Sequence, residues 1–200
     1  MPSLLLFVCL LAAPAALAQQ DLIVNGTFES HETDRGWQVA TSSGADPLCT
    51  APLCERPART GAGYAFLGGL GITNRMSVSQ TVTIPANAAS TLLTYALQLD
   101  AEGDGTGSFT LRVDGIALVT YSSGDAASFP TYRGQSADLS AFADGQPHTI
   151  TFEVTEGEGT QPGARFGALL DDVSLVVTRQ SDRGHVGITG AMGQRTTRGF

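Results

Sequence analysis

Residues Phe166–Val177 read FGALLDDVSLVV. Taken with a period of two, Leu169, Val173, Leu175 and Val177 fall on one face with Asp171 among them, while Ala168, Asp172 and Ser174 fall on the other. The stretch therefore reads as a half-buried strand closing a sheet. Asp171 is the residue on its apolar face that asks for a reason, because a buried ionised carboxylate is costly unless it is paired or binds a metal. The expectation is that Asp171 meets the stretch Asn25-Gly26-Thr27-Phe28-Glu29 around a calcium ion.

Working outward, the same alternation recurs. In Ser77–Pro85, Val78, Val82 and Ile84 face one way with Gln80 among them, and Ser77, Ser79, Thr81 and Thr83 face the other. Leu93, Tyr95, Leu97 and Leu99 form a second row, Phe109, Leu111 and Val113 a third, and Ile150, Phe152 and Val154 a fourth. Opposite these rows Arg112 and Glu153 point outward. Leu22-Ile23-Val24 reads as the first strand, turned by Asn25-Gly26, and Tyr64–Gly69 as a short strand ending in a glycine turn. Asp114-Gly115 marks a hairpin. Ser42–Arg59, rich in Pro, Ala and Ser, reads as an irregular excursion, and Phe129–Gln135 as an edge strand. No stretch holds a helical period over three turns. Short strands joined by Gly and Asp turns mean an all-β chain, an antiparallel β-sandwich.

The 200 residues fit one domain with tails. Leu4–Leu11 is an apolar run and Ala16-Leu17-Ala18 an A-x-A cleavage signal, so residues 1–18 read as an export leader with the mature start at Gln19. The run is short for a transmembrane anchor, and no second one follows. Residues 179–200, with four Arg, one Asp and few large apolar side chains, read as a disordered tail, leaving 19–178 as the domain. That domain carries 18 acids against 7 Arg, a net charge of −11, and the tail +3, together the −8 of the whole chain. An acidic body repels phosphates and argues against nucleic acid. Cys49 and Cys54, the two cysteines left after the leader, read as one local disulfide in an exported protein. The rival, a metal pair, lacks further His or Cys nearby.

The opening VNGTFES…GW, then SVSQTVTIP, FTLRVDG, DLSAFADGQPHTITFEV and the closing LDDVSLVV together resemble the galactose-binding-like jelly rolls, the fold of secreted carbohydrate-binding modules. The likeness spans roughly Asp21 to Thr178. It implies a jelly-roll sandwich with a structural calcium joining the first and last strands, held by Asn25 (through its carbonyl), Glu29, and Asp171 or Asp172. Calcium takes six to eight oxygens, which two carboxylates with carbonyls and water supply. The competing reading is that Glu29 and Asp171 cap backbone amides in a tight corner. The resemblance also implies that sugar is held by stacked rings and polar side chains, for which Trp37, Tyr64, Tyr132 and Arg133 are the candidates, with Tyr95 assigned to the core by parity. Trp37 also reads as a core anchor.

Catalytic motifs are absent from the sequence: no GxSxG, HExxH or P-loop occurs. His31, His148 and His185 are scattered, and His148, beside Pro147, reads as a surface residue. The carboxylate pairs Glu102/Asp104 and Glu156/Glu158 sit in Gly-rich turns, where acids are solvated more often than catalytic. The reading is therefore an exported, non-catalytic module that binds a polysaccharide or surface glycan, secreted or held at the cell surface or in the periplasm, and stabilised by calcium. The alternative is a structural or adhesion protein of the cell envelope that contacts another protein.

Overall fold

A computed structural model describes residues 17–30, 36–51, 54 and 56–180. In chain order the strands are β1 (Leu17–Asp21), β2 (Gln38–Thr41), β3 (Leu48–Thr50), β4 (Gly63–Gly68), β5 (Asn74–Thr83), β6 (Ala88–Glu102), β7 (Thr106–Val113), β8 (Ile116–Ser122), β9 (Arg133–Asp138), β10 (Pro147–Gly157) and β11 (Arg165–Gln180). Two short 3-10 turns, Ser123–Ser128 and Ser140–Phe142, flank β9. One sheet runs β3-β4-β11-β6-β9, with β1 also on β11, and the other runs β2-β5-β10-β7-β8. Every pairing is antiparallel. The chain is an all-β sandwich.

The four alternating rows do what period two requires. Leu93, Tyr95, Leu97 and Leu99 from the first sheet meet Val78, Ile84, Phe109, Leu111, Ile150, Phe152 and Val154 from the second in one buried cluster. Tyr95, Phe109 and Phe152 stack and tilt against one another with ring centroids 5.2–6.2 Å apart. Gln80, the polar member of its row, is 7% exposed. Its amide accepts from the Val24 N–H at 2.8 Å and donates to the carbonyls of Val24 and Gly36 at 2.9 Å. A buried amide with its partners in place costs little and fixes the entering chain against β5.

The closing strand departs from simple alternation. A bulge lies between Asp171 and Ser174, and Asp172 sits there at φ 49°. An extra residue in one strand reverses its parity. Phe166, Ala168 and Leu170 therefore face the main core before the bulge, and Val173 and Leu175 after it. Leu169 packs instead in a small cluster with Cys49 and Tyr64 on the outer side of the sheet. Asp171 shares that outer side. It is fully buried, as parity over the whole stretch suggested, but under a loop and not in the sandwich interior.

Other boundaries moved as well. The first strand is Leu17–Asp21, paired with Val176–Gln180, and Leu22–Val24 is an irregular link. Ser42–Arg59 contains the short strand β3, and β11 runs two residues past Thr178. Residues 1–16 and 181–200, His31, and Pro52-Leu53 inside the disulfide loop lie outside the described residues. Leu17 and Ala18, expected at the end of the leader, are part of β1.

Candidate functional site

Cys49 and Cys54 are bonded, with Cα atoms 5.8 Å apart. Beyond Cys54 the chain crosses the outer side of the first sheet and reaches the segment Arg59-Thr60-Gly61-Ala62-Gly63. Asp171 Oδ2 accepts the backbone N–H groups of Arg59 and Thr60 at 2.8 and 3.1 Å, and Oδ1 that of Asp172 at 2.7 Å. Glu29 Oε1 accepts those of Ala62 and Gly63, both at 2.8 Å. Asp172 takes the Thr60 hydroxyl and the Arg59 guanidinium. The N-terminal stretch does meet the closing strand: Val173 donates to the Gly26 carbonyl at 2.8 Å. A Cβ on Gly26 would stand 1.8 Å from the Val173 oxygen, so only glycine fits.

Glu29 and Asp171 thus grip four amides of one five-residue segment, two from each end. The Asn25 carbonyl accepts from Trp37 Nε1 at 2.9 Å and from the Phe28 N–H at 3.1 Å. Among the described residues no three His, Cys, Asp or Glu side chains are grouped as a metal would need. Burial pushes the Asp171 carboxyl up to about 6, against the lowering effect of its three N–H partners and with a further push from the Asp172 charge. The amides alone do not compensate this carboxylate.

Of the four candidates for sugar contact, two are core residues. Trp37 is 6% exposed and stacks on Phe28 at 5.2 Å. Tyr64 is fully buried beside Cys49 and Leu169, and its hydroxyl, near the Arg56 amide, has no hydrogen bond of normal geometry. Tyr132 is half-buried and covers the same cluster, its hydroxyl donating to the Pro57 carbonyl at 3.3 Å. Burial and the nearby Asp171 charge raise its pKa. Arg133 is exposed and opposite Leu97 in the β6–β9 register, so it points away from Tyr132 toward the sandwich edge. Among the described residues no aromatic side chain is fully open to solvent.

A polar cup lies elsewhere, between the β4–β5 and β10–β11 loops. It encloses about 340 Å³ and is lined by Gly69, Leu70, Gly71, Glu158, Gly159, Gln161, Gly163, Ala164 and Arg165. Glu156 builds it. This side chain, expected to be solvated, is 3% exposed, and its carboxylate accepts the N–H groups of Leu70, Gly71 and Phe166 at 2.8–3.1 Å. Asp104 fixes the facing loop through the Thr160 hydroxyl and the N–H groups of Thr160 and Gln161. These donors hold the Asp104 carboxyl down at about 2, the Thr160 hydroxyl contributing most. Of the other two acids of these pairs, Glu158 lines the cup and Glu102 is bonded to Arg165 at 2.6 Å. Sequence reading passed over Gln161, Arg165 and the buried role of Glu156, because in the sequence they are ordinary polar residues among glycines.

His148 is buried at 7% exposure, not at the surface as its neighbour Pro147 suggested. Its Nδ1 and Nε2 lie 2.7 and 2.9 Å from carboxylate oxygens of Asp114 and Asp144. The Asp114 bond, against the lowering effect of burial and aided by Asp144, raises its pKa, and the ring joins two turns.

No family model matches this chain. No curated protein matches it either. Solved structures do. TmCBM61, solved in complex with β-1,4-galactotriose, aligns with a TM-score of 0.55 at 19% identity over 78% of this chain and 97% of its own. The Stig cyclase Fisc from Fischerella sp. TAU aligns at 0.50 and 15% identity over 82% of this chain and 100% of its own. The fold is that of the β-sandwich carbohydrate-binding modules, and an enzyme shares it.

Proposed function

We propose that the chain is an exported, non-catalytic carbohydrate-binding module, with the sugar seated in the cup of about 340 Å³ between the β4–β5 and β10–β11 loops. The cup carries the reading. Its volume is in the range of small-ligand sites, and its glycine walls bring backbone groups within reach of hydroxyls. Gln161, Glu158 and Arg165 supply side-chain donors and acceptors, and Leu70, 42% exposed, offers an apolar surface to a sugar face. The likeness to TmCBM61 supports the class of ligand, and galacto-oligosaccharides are the first to try. Calorimetric titration of the full chain with β-1,4-galactotriose, followed by a neutral-glycan array, is the test. Saturable binding weakened about tenfold by Gln161→Ala is expected, roughly one lost hydrogen bond to the ligand. A blank array overturns the reading.

Calcium belongs to the same proposal. Glu29 and Asp171 stand on one segment, and the buried Asp171 charge lacks full compensation. These two carboxylates, with carbonyl oxygens of the corner, are the residues that would hold the ion, tying the N-terminal stretch to β11. A melting temperature that rises with calcium and falls with chelator is the expected result. An unchanged one removes the ion and leaves the amide caps. The alternative, contact with another envelope protein, has one observation behind it: the edge strand β8 exposes Ile116 at 59% and Leu118 at 37%. It becomes the better reading if the array is blank.

A further inference from the structure

We infer that the outer face of the five-stranded sheet is a second site, for an oxyanion carried on a glycan, gripped by Arg75 and Arg112. The saccharide part rests on the function proposed above; the oxyanion part does not.

Arginine pairing is uneven over this molecule. Arg56 and Arg165 share two acids, Asp100 and Glu102, and Arg59 has Asp172. Arg75 and Arg112 share one, Glu153. The Arg75 Nε and a terminal nitrogen both donate to Glu153 Oε2, at 2.8 and 2.6 Å, and Arg112 Nε lies 3.6 Å from Oε1. Depth makes the imbalance chemical. The Glu153 side chain is 9% exposed, whereas Arg75 is 65% exposed and Arg112 32%. The acid is sunk beneath the bases, so solvent meets guanidinium. On a body of net charge −11 this patch has the opposite sign.

Glu153 also orients the pair. By binding the Nε edge of Arg75 it leaves the other terminal nitrogen facing outward, and the Gly115 carbonyl holds an Arg112 terminal nitrogen at 3.2 Å. Two guanidiniums held in place in this way present preset N–H donors to a carboxylate or a sulfate. Beside Arg75 lies an open groove of about 330 Å³, lined by Ala40, Thr41, Ser42, Ser77 and Glu153, whose hydroxyls suit the sugar carrying the anion. The cup is lined by different residues, so the two sites are separable.

Affinity electrophoresis of the full chain in gels of polygalacturonate, carboxyl-reduced polygalacturonate, dextran sulfate and dextran tests this. The wild type is expected to be retarded by at least one polyanion more than by its neutral counterpart, and less so at high salt. Retardation by polygalacturonate alone identifies a carboxylate site, and by dextran sulfate alone a sulfate site. Arg75→Gln should weaken that binding about tenfold, and Arg75→Lys, which keeps the charge but not the oriented terminal nitrogen, by less. Galactotriose binding in the cup should be the same in both variants. The proposal is overturned if neither polyanion outperforms its neutral counterpart, or if both Arg75 variants bind polyanion like the wild type. A failure of galactotriose binding alone would count against the cup and not against this face.

Discussion

Glu156, on β10, and Asp171, on β11, are both buried carboxylates that grip backbone amides, yet their settings differ. Glu156 takes three backbone N–H groups, two from the β4–β5 loop and one from Phe166 near the start of β11, binding that loop to the strand. Asp171 also takes three, at the bulge, but beside Asp172 and with Glu29 at the far end of the same segment. One clamp is complete in itself. The other concentrates negative charge in a buried corner, and its pKa near 6 records the excess. Asp104 gives the outer limit: with similar donors but only partial burial, it goes to about 2. Donors alone thus do not set the outcome; burial decides the sign.

The largest expected effect tests the self-contained clamp. Glu156→Ala leaves three buried or half-buried N–H groups without acceptors and should cost about 3 kcal/mol or more, read as a shift in the urea midpoint. If the cost is under about 1 kcal/mol, water replaces the carboxylate and the clamp is dispensable.

A smaller effect is expected at Asp171, and it should depend on pH. Its folded pKa, about 6, lies above the ordinary 3.8, so the folded state binds the proton more tightly than the unfolded one. Its contribution is therefore greatest below pH 3.8 and declines as pH rises to 6, by on the order of 2 kcal/mol. Asp171→Asn should remove that decline from a series of melts between pH 4 and 7. Saturating calcium should flatten it in the wild type if the ion binds there, because a cation holds the carboxylate ionised. A slope that survives both changes belongs to another group, and the contrast drawn between the clamps fails.

Asp104→Ala should have the smallest effect. With its carboxyl held near 2, below the ordinary 3.8, the contribution of Asp104 is present above 3.8 and is lost only as pH falls toward 2. Melts at neutral pH should shift by little, while proteolysis within the Glu156–Gly163 loop should accelerate. Unchanged proteolysis would mean that the loop is held without this residue.

Most of the sandwich was legible because parity is local. Leu93 to Leu99, Phe109 to Val113 and Ile150 to Val154 each show which side of the strand is apolar without reference to any other strand. The bulge at Asp172 was not legible, since one extra residue leaves no mark in a run as apolar as ALLDDVSLVV. Reading through it placed Leu169 on the wrong face. The corner was half legible: Asp171, Glu29 and the Asn25-Gly26 turn do come together, but on a loop whose own sequence, RTGAG, carries no signal of being gripped. Trp37 and Tyr64 are stacking residues by type and core residues by position, and type is all a sequence shows. The Arg75–Glu153–Arg112 patch needed strand register. Arg112 and Glu153 were known to face outward, but only the β5–β10–β7 order and register put Arg75 and Arg112 diagonally on either side of Glu153.

The place of β11 has a further consequence, for how the molecule is made. The last strand of the described residues is the middle of its sheet, flanked by β6 on one side and by β4 and β1 on the other. While the ribosome is still short of residue 165, β6 and β4 have no common neighbour, and the first sheet exists only as separate edges. Partial chains are then neither smaller domains nor folding intermediates with a closed core, but open templates for misassociation. The first sheet waits for residues 165–180 and must then join strands as far as a hundred residues or more apart, which makes it slow. A single central strand made after both of its neighbours is thus what turns two separate edges into one sheet.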